Sequence, residues 1–166
     1  MSGTIRKIAL IAGFPCAIDL INYVNNLDAD LIIGLGDVEC PQYIKSEFYG
    51  ILGEMEDVSV LKYLRKNNKY FTKLSNISSD FSSEVVVTHY PPKGSITGKI
   101  FGVTIGSEDI MNKVKKHQPL LLFHAHSSIR GEFELGKTKI VSIGNLINGH
   151  YVEYYVNEMR YEFKEV

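Results

Sequence analysis

Leu120-Leu121-Leu122-Phe123-His124-Ala125-His126 sets an apolar run directly against two imidazoles. A short apolar run of this kind reads as a buried strand, so the histidines sit at its end, where open α/β sheets build their sites. Histidines two apart on extended backbone share a face. A bend after the strand lets both rings converge on one point, the geometry a metal ion asks of neutral imidazoles. One packed ring and one solvated ring is the plainer reading of an isolated pair. Carboxylates and a third histidine at other strand ends weigh against it.

Working back from that stretch, Glu84-Val85-Val86-Val87-Thr88-His89-Tyr90-Pro91-Pro92 is a β-branched strand stopped by two prolines, which fix the backbone just after His89. Lys93 to Ser107 reads as a glycine-rich loop and Glu108 to His117 as a helix. Ile5 to Gly13 carries the solid run Ile8-Ala9-Leu10-Ile11-Ala12, a first, central strand. Ala17 to Leu27 has apolar residues at Ile18, Ile21, Val24 and Leu27, the spacing of an amphipathic helix. A parallel strand follows over Asp30 to Gly34 and ends in Gly34-Leu35-Gly36-Asp37. The glycine pair lacks the third glycine of a dinucleotide loop and follows the second strand, so that motif is set aside. A third short strand, Phe48 to Leu52, leads into Gly53-Glu54-Met55-Glu56-Asp57 and a helix over Val58 to Lys66.

Forward from the histidines, 131–135, 139–143, 150–156 and 159–163 alternate with turns and read as antiparallel hairpins in a second sheet or at its edge. A mixed α/β part followed by such a meander implies an α/β fold of two packed mixed β-sheets flanked by helices.

Composition bounds the rest. Of 166 residues 45% are hydrophobic, enough for one domain over 1–166 with a sizeable core. Lys+Arg at 18 against Asp+Glu at 19 gives no global charge for nucleic-acid binding. With only Cys16 and Cys40, and no apolar leader or spanning run, the expectation is a cytoplasmic chain with no disulfide framework and no membrane contact. Cys16 lies near a helix N-terminus. A cysteine-phosphatase loop needs an arginine six positions later, where Asn22 stands, so Cys16 reads as a structural or incidental thiol.

Five positions lie at or just after strand ends: Asp37, Glu54, His89, His124 and His126. Mixed oxygen and imidazole donors suit manganese, zinc or iron rather than calcium. Gly36-Asp37, Gly53-Glu54-Met55-Glu56, Thr88-His89-Tyr90-Pro91-Pro92, Phe123-His124-Ala125-His126 and Val141-Ser142-Ile143-Gly144-Asn145 together resemble the calcineurin-like metallophosphoesterases, especially small prokaryotic phosphodiesterase-like members. The resemblance implies an α-β-β-α sandwich and two metal ions about 3.5–4 Å apart. It also implies that Asp37 bridges them, that His89 and His124 bind the second ion, and that His126 binds the first.

The departures from the family pattern are as informative. Where the family has Asp-x-His after the first strand, Gly13 and Pro15 stand here, so two ligands of the first metal are missing. Glu54 replaces a ligand asparagine and Met55 replaces the catalytic histidine. The expectation is one surviving ion held by Asp37, Glu54, His89 and His124, with phosphodiesterase activity weak or absent. A non-catalytic binding or scaffold module with a protein partner is the alternative, and a sensor of a small phosphate-containing ligand a third.

Overall fold

The computed structural model describes residues 5–53 and 58–166. β1 (Lys7–Ile11), α1 (Ile18–Asn25), β2 (Leu31–Gly34) and β3 (Phe48–Gly50) form the first unit, with β1–β2 and β2–β3 parallel. β1 is central, as its unbroken apolar run implies, because both its faces are covered. Ile8 and Leu10 pack between the sheets, whereas Ala9 and Ile11 pack beneath the helices with Val24 of α1. α2 (Val58–Lys66) adds Val60 and Leu64 to that layer.

The second sheet contains a short hairpin, β4 (Lys73–Leu74) and β5 (Ile77–Ser78), followed by β6 (Val85–Thr88). The loop expected over 93–107 holds a small hairpin, β7 (Lys99–Ile100) and β8 (Val103–Thr104), too short for any periodicity to announce. α3 (Glu108–His117) starts at Ser107, whose Oγ accepts the Ile110 N–H at 3.2 Å, and stops where Gln118 turns left-handed at φ 45°. β9 (Leu121–His124) then pairs in parallel with β6, aligning Thr88 with His124.

The remaining strands are β10 (Gly131–Leu135), β11 (Thr138–Ser142), β12 (His150–Tyr155) and β13 (Arg160–Glu165). They do not make one meander. β10–β11 joins the second sheet beside β9, giving the order β10-β11-β9-β6-β5-β4, whereas β12–β13 crosses to the first, giving β13-β12-β1-β2-β3. Alternation shows which face of a strand is buried, not which neighbour it will find.

The sheets pack face to face through Leu31, Ile33, Val85, Val87, Phe123 and Val141 among others. Val114 of α3 covers the outer face of the second sheet against Val86, Leu122 and Ile140. The order of layers is therefore helix, sheet, sheet, helix, and the loops after β1, β2, β6 and β9 gather at one rim. Among the described residues, no helix is long and apolar enough to cross a membrane.

Candidate metal centre

Asp37, His89 and His126 come together at that rim, with one ligand atom from each within 4.8 Å of the others. Asp37 lies three residues past β2 and His126 two past β9, both left-handed, at φ 56° and 53°. Left-handed backbone is uncommon for residues other than glycine and gathers at functional sites. His89 follows β6, and its carbonyl accepts the Ala125 N–H at 3.0 Å, which ties the two histidine-bearing strand ends together. Gly53 is pressed so closely on the group that a β-carbon there would come 2.6 Å from His89 Cε1 and would also meet Asp37 Oδ1. Any side chain at 53 would displace Asp37 or His89.

The protons can be assigned. His89 Nδ1 lies 2.7 Å from the Leu35 carbonyl, which can only accept, so Nδ1 carries the hydrogen. In the neutral ring Nε2 then presents a lone pair, 3.5 Å from Asp37 Oδ2. Two acceptors facing each other repel unless a positive charge lies between them. A backbone carbonyl fixing the far nitrogen is also the usual support of a metal-binding imidazole. Two imidazole nitrogens and a carboxylate oxygen thus fit a divalent ion of the manganese, zinc or iron kind.

Tyr90 was not among the predicted site residues. Its ring centroid lies 4.9 Å from that of His89 and 4.7 Å from that of His126, walling the group on one side. An aromatic residue between a histidine and two prolines was the available signal. A cleft of about 400 Å³, lined by Tyr90, Lys93, Thr104, Ile105 and His126, opens beside it. A larger cavity, about 670 Å³, lies elsewhere, around Glu132, Lys139 and Tyr161, and touches none of the three ligands.

His124 stands apart. It is fully buried, its Nδ1–H donates to the Ala125 carbonyl at 2.7 Å, and its Nε2 accepts from Thr97 Oγ1 at 2.8 Å. Burial pushes its pKa down to about 4, with the nearby His89 and His126 adding to the effect and the Ala125 bond opposing it. The ring is therefore a neutral interior strut. The expectation that a bend after the strand brings His124 and His126 onto one point is not met among the described residues, because both His124 ring nitrogens are already engaged, by Ala125 and Thr97. Glu54 and Met55 lie outside the described residues.

On the other side of the rim, Gly13 (φ 63°) leaves no room for a side chain: a β-carbon would come 2.7 Å from Asn145 Cγ. Asn145 fills that space and donates from Nδ2 to the Ser127 carbonyl at 3.2 Å. The expectation for cysteine is corrected. Cys16 and Cys40 form a disulfide, with Cα atoms 5.4 Å apart. A separation of 24 residues gives no hint of this; the pairing follows because β1 and β2 are parallel neighbours whose following loops lie side by side.

Two layers of mixed sheet between helices, with a carboxylate and two imidazoles gathered at the strand ends, make a metallophosphoesterase-like architecture. Residues 47–166 match the model of the metallophosphoesterase family of the calcineurin superfamily, and the chain belongs to that family. Protein TT1561 of Thermus thermophilus has a similar structure at 15% identity, with TM-score 0.65 over 98% of this chain and 99% of that one. An archaeal phosphodiesterase is similar at 12% identity, with TM-score 0.58 over 96% and 99%. Vps29 from Entamoeba histolytica, solved in complex with Zn2+, is similar at 10% identity, with TM-score 0.50 over 96% and 98%. At such identities the likeness speaks for the fold. A search of curated proteins finds no match.

Proposed function

We propose that this chain holds one divalent cation, manganese, zinc or iron, on Asp37, His89 and His126, and hydrolyses phosphodiesters weakly or not at all. The observation that carries the reading is the convergence of the three ligand atoms within 4.8 Å, with the His89 ring fixed through the Leu35 carbonyl. A cation held there supplies Lewis-acid polarisation of a phosphoester oxygen. The chain's own part is to fix the ligands: Leu35 sets the His89 tautomer, the Phe14 N–H holds the Asp37 carbonyl at 2.9 Å, and Tyr90 shields both imidazoles. A small phosphate-containing ligand fits the adjoining cleft, whose rim carries the Lys93 ammonium.

Weak turnover follows from what is missing. Gly13 and Pro15 offer no ligand for a second ion, and Asn145 packs where a side chain at 13 would go. Met55 has no proton to give a leaving group.

The test is elemental analysis and titration with manganese and zinc of wild type, His89→Ala, His126→Ala and His124→Gln, alongside hydrolysis of bis(para-nitrophenyl) phosphate. One ion per chain is expected, bound about a hundredfold more weakly in His89→Ala and His126→Ala, since even outer-shell partners are worth about 10–100-fold. Unchanged affinity in either alanine variant overturns the site, and two ions per chain with brisk hydrolysis overturns the single-ion reading. The second reading, a non-catalytic module that binds a protein partner, is favoured by the β7–β8 hairpin, which exposes Phe101 at 92% and Val103 at 65%. Absent hydrolysis, with a partner lost on Phe101→Ser, would support it.

A further inference from the structure

Cys16 and Cys40 are the chain's two cysteines, and their position makes them more than a staple. The loops they join are already laced by two backbone bonds that flank Val38, directly after Asp37. The Phe14 N–H donates to the Asp37 carbonyl at 2.9 Å and the Glu39 N–H to the Phe14 carbonyl at 3.1 Å. Asp37 is left-handed, its carbonyl accepts the first of these bonds, and it lies three residues from Cys40. Whatever fixes the spacing of the two loops therefore fixes the carboxylate that meets His89.

The two sulfurs also differ in access. Cys40 is buried at 8% exposure, whereas Cys16 is exposed. Cys16 borders a cleft of about 360 Å³ whose walls include Ile18, Ile21 and Tyr43. Cys16 is therefore the more accessible residue of the pair, and the cleft leaves room for a reagent beside it.

We propose that Cys16–Cys40 is a reversible thiol–disulfide site that sets the metal affinity of the neighbouring Asp37–His89–His126 group, tight when oxidised and weaker when reduced. The proposal rests on the metal-binding reading above. The reductant is a dithiol. One of its thiolates attacks the exposed Cys16 Sγ, the S–S bond breaks, and Cys40 leaves as a thiolate that takes up a proton. The second thiol of the reagent then attacks its own sulfur bonded to Cys16 and releases the Cys16 thiol. The protein disulfide gains two electrons and two protons, and the dithiol becomes a cyclic disulfide. Reduction leaves the lacing bonds but removes the covalent tie, so Asp37 samples positions away from His89 and each binding event must re-order the loop.

Coupling of this kind is reciprocal: if the disulfide tightens the metal, the metal must protect the disulfide by the same factor. Two measurements follow. Manganese titration of the oxidised wild type and of Cys16→Ser is expected to show about tenfold weaker binding in the variant, a typical coupling between sites. The wild type is also equilibrated in mixtures of reduced and oxidised dithiothreitol, with and without manganese, and free thiols are counted by alkylation and mass. Manganese is expected to raise the dithiol-to-disulfide ratio for half reduction about tenfold. His89→Ala is the control for chelation by the reagent and is expected to lose that shift.

Should Cys16→Ser not fold, the second measurement stands alone. A merely structural disulfide would lower the melting temperature of the variant while leaving half reduction independent of manganese. That result, or equal affinity in both redox states, overturns the proposal while the metal site stands. A wild type that binds no metal in either state overturns the metal reading and the coupling with it.

Discussion

The loops at the rim carry polar groups on two sides, and the sides are built oppositely. On one, Asn145 donates to the Ser127 carbonyl, Ser127 Oγ donates to the Thr97 carbonyl at 2.6 Å, and Thr97 Oγ1 donates to His124 Nε2. Each group in that chain meets a complementary neutral partner. On the other, His89 Nε2 and Asp37 Oδ2 lie 3.5 Å apart, with His126 beside them. The first side is a chain of neutral hydrogen bonds; the second is the group on which the proposed cation would sit. Residue type does not separate the two, since both contain a histidine from the same His-x-His.

The contrast can be broken in three places. The largest effect expected is an acid limb of stability in metal-free protein. His124 titrates at about 4 in the folded chain against an ordinary 6.5, so the unfolded chain binds the extra proton between those values. Stability is therefore full above about 6.5 and falls as the pH drops towards 4, by about 3 kcal/mol at most. Urea denaturation across this range, with His124→Gln flattening the limb, checks it; an unchanged limb in the variant would assign the loss elsewhere.

Thr97→Val comes next. It strips the donor from the buried His124 Nε2 and is expected to cost about 2 kcal/mol, the penalty of an unmet buried polar atom, while leaving manganese affinity within about threefold, below the usual range of couplings between sites. A large loss of affinity would join the two sides that the structure separates. Smallest is Gly13→Ala, expected to cost roughly 1–2 kcal/mol for its left-handed backbone and crowded β-carbon. Asn145→Ala in the same chain should return part of that loss by opening the space. No recovery would mean that backbone strain alone closes this side.

How far these features could be read from the residues varies with the reach of the interactions. The run Ile8–Ala12 identified a central strand because burial on both faces leaves no polar position, and the prolines after His89 fixed a strand end through purely local sterics. The Thr97 hydroxyl that engages His124 comes from a loop 27 residues away, so the different surroundings of His124 and His126 stayed hidden. So did the disulfide and the allotment of the last two hairpins to different sheets, which depend on which strands lie side by side. Asp37, His89 and His126 were legible as candidates; that these three meet, among the described residues, needed three dimensions.

The crossing of β12 back to β1 has a consequence for the newly made chain. β1 pairs with β2 on one flank early in synthesis, but its other flank waits for β12, where Ile8 meets Tyr154. Until residues 150–155 have left the ribosome, the central strand offers an open row of backbone donors and acceptors. Such an edge invites pairing with other chains. Completion of this sheet thus waits on a strand some 140 residues away, and nascent chains halted before residue 150 should be the ones that chaperones retain.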